Sequence, residues 1–273
     1  MTGSQVVGQG IGDAIRAAVP PWLVPVFVAI TRLGNPAFFL AVFALDYWFG
    51  DRERGAHALA LAIAGMGVVT ALKTFFDAPR PSEMVAVVPI SGYSFPSGHA
   101  TGATIGYGIL AYDLEWGSWR QRYAVAGAMI LLVALSRVVL GVHFVRDVVA
   151  GIAVGTLFLA GAVWLTEHDP EQGFVVAVAM GAAAFVVSGA SRDGTAVLGA
   201  ALGGGLAWSR IDAVPSLKSL RSRLAISVGV LPALAVLGYV GVEMHVPVAL
   251  TFLITVVLMA GVLAAPRIAA RAD

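Results

Sequence analysis

Cysteine is absent from the 273 residues, which removes disulfides, thiolate nucleophiles and cysteine-ligated metals. Charge is nearly as scarce. Asp, Glu, Lys and Arg make up 12% of the chain, against about 25% in a soluble domain. What charge there is almost cancels, 17 Lys and Arg against 16 Asp and Glu, so no basic field exists to gather nucleic acid. Disordered, collagen-like and disulfide-scaffold classes fail on the same composition. The chain also lacks an Asp-x-Asp pair, a His-Glu-x-x-His helix and a calcium loop. No metal is expected, because zinc and the hard cations need several convergent N, O or S donors.

What is abundant is apolar surface: 59% of the residues are hydrophobic and the mean hydropathy is +0.87. A spanning helix needs about 20 mostly apolar residues. On that basis nine spans are predicted, near Leu33–Phe49, His57–Phe76, Gly98–Leu114, Tyr123–Gly141, Val148–Thr166, Gly173–Gly189, Thr195–Trp208, Ala225–Val242 and Val246–Ala265. The fold class is therefore all-α, a polytopic transmembrane helix bundle in the lipid bilayer, since an open chain satisfies its backbone in lipid only as helix. The stretch Val19–Ile30 is broken by Pro20, Pro21 and Pro25, is too short to span, and is expected to lie along the interface. Met1–Gly12 has neither the basic nor the apolar part of a secretory signal, so a cleaved signal is not expected. Pairs such as Gly102/Gly106, Gly151/Gly155 and Gly199/Gly203 read as close helix packing. Tyr47, Trp48, Trp116, Trp119 and Trp164 read as an aromatic belt, and Asp46, His57, His168, Glu243 and His245 as polar residues reaching water at span ends.

If the spans alternate, Arg52, Arg54, Arg120, Arg122, Arg210, Lys218, Arg221, Arg223, Arg267 and Arg271 share one side, and Arg16, Arg32, Lys73, Arg80, Arg137, Arg146 and Arg192 the other. The positive-inside rule assigns the larger group to the cytoplasm. The C-terminus is then expected inside and the N-terminus outside.

Several outer-side charges occupy costly places. Arg137 is the sole charge in the run Ala124–Val142, where an Arg deep in lipid costs roughly 2.5–3.5 kcal/mol. Lys73 taken singly reads as a snorkelling side chain. Taken together these residues say more. The second span ends outside with Lys73 and, after it, Arg80; the third opens at Ser97-Gly98-His99; the fourth returns to the same face with Ser136-Arg137, His143 and Asp147. Three cations, two histidines and one carboxylate converge on one membrane face, which describes an anion site. Pro96-Ser97-Gly98-His99 opens a helix whose free N–H groups favour an anion, although Ser before an apolar run is also an ordinary cap. A phosphoryl group held by fixed cations can be attacked in line by a neutral imidazole, and Asp147 four residues after His143 can hold that ring's other N–H. His99 has no carboxylate so near and suits protonation of a leaving oxygen. Asp77 and Tyr93 share the active-face loop without a clear part in this chemistry.

Lys73-x6-Arg80-Pro81, Pro96-Ser97-Gly98-His99 and Ser136-Arg137-x5-His143-x3-Asp147 resemble the three-part signature of the type-2 phosphatidic acid phosphatases. That superfamily includes lipid phosphatases, glucose-6-phosphatases, bacterial acid phosphatases and vanadium-dependent haloperoxidases. The resemblance covers residues 73–147 and fills every signature position. It implies a metal-independent membrane phosphatase without a cofactor, working through a phosphohistidine on the extracytoplasmic face. His143 would be the nucleophile, Asp147 its partner and His99 the acid, with Lys73, Arg80, Ser97, Gly98 and Arg137 binding phosphate. The division expected is an interfacial segment over 1–32, a membrane phosphatase core over 33–170 and additional transmembrane helices over 171–273. The substrate is a phosphate monoester or pyrophosphate, carried by a lipid or by a small ester such as a sugar phosphate. A phosphotransferase reuses the same chemistry, and an anion-binding transporter is the non-enzymatic rival. Orientation is directly testable in a chain without cysteine. A cysteine at Glu83 is expected to react with an impermeant thiol reagent on intact cells, and labelling only after lysis would reverse the assignment.

Overall fold

The computed structural model describes residues 3–82, 85–114, 116–211, 219–242, 244 and 246–270. Glu83, Lys218, Glu243, His245 and Arg271, which entered the reading above, lie outside the described residues. Among the described residues the regular structure is helical and contains no strand. In chain order the helices are α1 (Gly3–Ala18), α2 (Val24–Arg32), α3 (Pro36–Phe49), α4 (Arg52–Phe76), α5 (Gly98–Asp113), α6 (Trp119–Val139) and α7 (Val145–Thr166). They continue as α8 (Pro170–Val187), α9 (Arg192–Trp208), α10 (Leu220–Leu224), α11 (Leu231–Val242) and α12 (Val248–Ala269), with a wide turn of π-helix over Ala225–Val230 joining α10 to α11.

Each of the nine expected spans falls on helix, but the count of nine is not upheld. Among the described residues six helices are long and apolar enough to cross: α4, α6, α7, α8, the stretch Arg221–Gly241 and α12. A seventh arises if the bent pair Gly10–Ala18 and Pro21–Arg32 is one span. The reason is length. Helices α3, α5 and α9 have 14, 16 and 17 residues, and at 1.5 Å per residue even the longest reaches only about 26 Å against a hydrocarbon core of about 30 Å. At the N-terminus the Pro20-Pro21 pair, which cannot continue a helix, marks a 92° bend.

The chain divides into two compact units, Met1–Phe39 with Leu72–Gly161, and Leu40–Ala71 with Ala162–Asp273. All the candidate site residues belong to the first. There α1, α2 and α5 pack on α6, which starts from a reciprocal cap between Ser118 and Gln121. Helix α7 meets α5 backbone to backbone. A side chain at Gly151 would stand 2.8 Å from Ser97 O, and one at Gly155 would stand 2.9 Å from Thr101 O. This contact sets the first turn of α7 beside the first turn of α5. Beneath it Ala100, Ala134, Val138 and Val148 form a buried cluster, with Ile15 of α1 packed against it. The turn after α6 passes through Gly141 at φ +70°, where a side chain would also strike Val85 O.

In the second unit α9 packs between α8 and α12. A side chain at Gly199 would meet Phe252 O at 2.8 Å, as expected for a small-residue seam. Two expectations are corrected here. Tyr47 and Trp48 do not belong to an aromatic belt: both are buried, and their polar atoms bond Leu263 O and Val262 O, each at 2.8 Å. Trp116, Trp119 and Trp164 are exposed. His57 does not reach water either, being buried with its Nε2 2.7 Å from Thr166 Oγ1. Asp46 is half-buried and paired with Arg54 at 2.8 Å.

Gly151→Leu is expected to force α7 away from α5 and to destabilise the detergent-solubilised protein by about 1–3 kcal/mol. Gly161→Leu, on the same helix with nothing within 4 Å of the added carbon, is the control. Thermal unfolding of the two variants gives the comparison, and equal midpoints would remove the contact from the account.

Candidate active site

The residues that converge do so around Asp147, fully buried in the first turn of α7. Its Oδ2 accepts a hydrogen bond of 2.5 Å from Ser94 Oγ and one of 3.0 Å from the Phe144 N–H. His143 Nδ1 lies 3.4 Å from the same oxygen. His143 therefore precedes α7 instead of lying on it, and the Phe144 bond to Asp147 curls the turn so that the ring still faces the carboxylate. The main chain of Asp147 works as well, its carbonyl accepting the Ser97 N–H at 2.9 Å. One residue thus ties the loop before α5, the cap of α5 and the turn before α7.

Arg80 approaches from the other side of the imidazole. Its Nη1 donates to Val142 O at 2.9 Å and stands 3.3 Å from His143 Nε2, while its Nε donates to Ser91 O and Gly92 O at 2.9 and 3.0 Å. A guanidinium has no lone pair to offer, so Nε2 must be the acceptor. The proton of the neutral ring then sits on Nδ1, facing Asp147 Oδ2 and Ser94 Oγ, the latter at 3.3 Å. Burial holds the His143 imidazole well below its ordinary value, to about 4; the Asp147 hydrogen bond opposes this, and the charges of Arg80, Arg137 and Lys73 reinforce it. The ring is neutral at pH 7, and its Nε2 lone pair faces Arg80 Nη1.

The other cations are held by the protein's own oxygens. Lys73, near the end of α4, donates to Tyr93 O at 2.8 Å. Tyr93 itself bonds Asp77, which raises its phenol above the usual value. Arg137 is buried near the end of α6 and donates from Nη1 to Thr31 Oγ1 of α2 at 2.6 Å. Its Nε is also buried and has no hydrogen-bond partner among the described residues. Ser97 is buried as the cap of α5, with Oγ 3.4 Å from the Ala100 N–H, and Gly98 and His99 follow it, half-buried, in the first turn. His99 lies within the electrostatic reach of Arg137, His143, Lys73 and Arg80. A cavity of about 140 Å³ opens beside His143, with Pro81, Ser82 and Phe144 among its walls.

The eight expected site residues thus lie in one unit. Arg80, His143, Asp147 and Ser97 are linked by direct bonds, and His99 lies within reach of the charges of Lys73, Arg80 and Arg137. Two supporting hydroxyls, Ser94 and Thr31, were not expected.

A family model described as the PAP2 superfamily matches residues 55–171, which include this set. Phosphatidylglycerophosphatase B of Bacillus subtilis (strain 168) is 34% identical over 163 residues, 56% of this chain and 80% of that protein. The chain belongs to the PAP2 superfamily. Its fold agrees: the crystal structure of a transmembrane PAP2-type phosphatidylglycerolphosphate phosphatase from Bacillus subtilis matches with a TM-score of 0.54 at 30% identity, over 61% of this chain and 88% of the other. Lipid A 1-phosphatase of Porphyromonas gingivalis is 35% identical over 117 residues, 41% of this chain but 24% of that protein's length. This PAP2 chain is an integral-membrane phosphatase.

The neutral state of His143 gives a pH prediction. Were Nε2 the attacking atom, its protonation would remove the lone pair and kcat/KM would fall as pH drops through the imidazole's value. Because that value is lowered by burial, the acid limb is expected below the ordinary imidazole pKa of about 6.5. A limb centred at or above it would show that His143 is not held neutral.

Proposed function

We propose that this PAP2 protein hydrolyses a lipid-linked phosphate monoester or pyrophosphate through a phosphohistidine formed on His143. The observation that carries the reading is the pairing around the ring, with Arg80 Nη1 at Nε2 and Asp147 Oδ2 at Nδ1. It supports a tautomer with the proton on Nδ1 and the lone pair on Nε2, beside the Arg80 guanidinium. In the first step Nε2 bonds to phosphorus as the bond from phosphorus to the leaving oxygen breaks, and His99 gives that oxygen a proton. Asp147 steadies the charge that develops on the ring. In the second step water attacks the phosphorus from the vacated side, His99 takes its proton, the bond to Nε2 breaks and phosphate departs. Lys73, Arg80, Arg137, the Ser97 hydroxyl and the Gly98 N–H hold the three equatorial oxygens, supplying the charge that metal ions supply in other phosphoryl transfers.

A lipid substrate is supported by the relatives named for phosphatidylglycerophosphate and lipid A, and by the apolar rim beside Lys73 and the loop. Phe75, Phe76 and Val87 are 72%, 49% and 51% exposed, a surface that suits an acyl or prenyl chain held in the bilayer. An extracytoplasmic site and a cytoplasmic C-terminus follow from the Lys and Arg count if α3, α5 and α9 cross together with the longer helices, as in the nine alternating spans expected from the sequence. On this reading residues 33–170 are the phosphatase core and 171–273 add membrane helices to it.

Purified protein is expected to release phosphate from prenyl pyrophosphate or phosphatidate with EDTA present. His143→Ala is expected to abolish release, by at least about a thousandfold, while retaining its thermal unfolding midpoint. Orthovanadate is expected to inhibit competitively. Release that requires a divalent metal, or that survives in the folded variant, would overturn the mechanism.

A further inference from the structure

Arg16 shares the predicted active face with the three cradle cations, yet the chemistry above leaves it without a part. Its position is specific. Helix α1 is anchored by Ile15 in the buried cluster of Ala100, Ala134, Val138 and Val148, and one face of it walls the cavity beside His143 through Gly12, Asp13 and Arg16. A single water needs roughly 10–15 Å³ on the same measure, so a cavity of about 140 Å³ admits a group of phosphate size. Arg16 Nη1 reaches the main-chain oxygen of Val138, next to Arg137, at 3.5 Å. Gly12 keeps this path open, because a side chain there would stand 3.3 Å from Arg16 Nη1. The other end of the guanidinium is paired with Asp13 one turn earlier.

The pair is lopsided. The Asp13 side chain is 63% exposed and that of Arg16 only 21%, so of the two groups lining the cavity the guanidinium is the more shielded from water. An ion pair open to solvent holds its partners only weakly. A phosphate dianion entering the cavity carries twice the charge of Asp13 and offers a guanidinium paired oxygens.

We propose that Arg16 is a fourth phosphate-binding cation, held in the empty site by Asp13 and handed to the phosphate when the cavity fills. The proposal deepens the reading of His143 as the phosphoryl acceptor and rests on it. It has a consequence that a purely structural ion pair lacks: the two ends act with opposite sign. Removing Arg16 weakens phosphate binding, whereas removing Asp13 frees Arg16 and strengthens it.

The test uses the full-length protein in detergent micelles, with inorganic phosphate as probe and its inhibition constant as readout. Arg16→Ala is expected to raise that constant about tenfold, and Arg16→Lys to recover part of the loss. Asp13→Asn is expected to lower it about threefold. If a variant turns over too slowly to assay, protection from thermal unfolding by phosphate gives the same ranking. Equal constants in all variants, or shifts of one sign in Arg16→Ala and Asp13→Asn, would overturn the proposal while leaving His143 in place. Failure of phosphate to compete even in the unaltered protein would instead strike the underlying reading of the site.

Discussion

The carboxylate of Asp147 is the joint on which the site is assembled. Burying an ion in a membrane protein costs several kcal/mol unless donors surround it. Here the donors are themselves the parts that must be positioned. Ser94 Oγ and the Phe144 N–H reach Oδ2, His143 Nδ1 faces it, and the Ser97 N–H bonds the main-chain oxygen of the same residue. Hydrogen bonds to a charged group contribute about 1.5–3 kcal/mol each, so the donors on Oδ2 offset part of the cost of burying the charge while they fix the ring and the loop, and Oδ1 has no hydrogen-bond partner among the described residues. Asp147 also sits in the first turn of its own helix, where the dipole favours a negative charge.

That joint works only if α7 and α5 approach closely, and in lipid no hydrophobic force drives them together. Gly151 and Gly155 supply the approach by removing the side chains that would meet Ser97 O and Thr101 O. The same seam recurs in the second unit, where Gly199 and Gly203 face α12. Small residues give proximity; the chemistry depends on what proximity brings together.

This explains which parts of the molecule were legible in the sequence. Lys73, Arg80, Arg137, His143 and Asp147 stand out because charge is costly in an apolar chain, and an alternation in which α5 crosses puts them on one face. Ser94 and Thr31 do not stand out. Each is a neutral hydroxyl that costs little anywhere, and its importance lies in a partner 53 or 106 residues away. Tyr47 and Trp48 misled for the same reason: an aromatic residue near a span end looks interfacial until a carbonyl on a distant helix accepts its proton. The span count of nine goes unconfirmed on a different quantity. Apolar composition marks where helix can lie in lipid, but whether α3, α5 and α9 cross depends on length, which loops and caps decide.

Scarcity of charge also shapes the chemistry. Arg80 and Arg137 stand close enough to His143 for their charges to lower its pKa, and Asp147, committed to three donors, offers their mutual repulsion only partial relief. In water such repulsion would be screened within about 10 Å at moderate ionic strength; beside buried groups it is screened much less. Carbonyls and hydroxyls hold the cations in place: Tyr93 O for Lys73, Val142 O for Arg80 and Thr31 Oγ1 for Arg137. None of these ligands neutralises charge. The Nε of Arg137 is buried with no hydrogen-bond partner among the described residues, a donor suited to an oxygen from outside the protein. On the proposed reading, a dianionic phosphoryl group supplies at once the charge and the acceptors that the fold withholds. Lys73 and Arg137 are already held when it arrives, and charges fixed in advance stabilise a phosphoryl transition state most effectively.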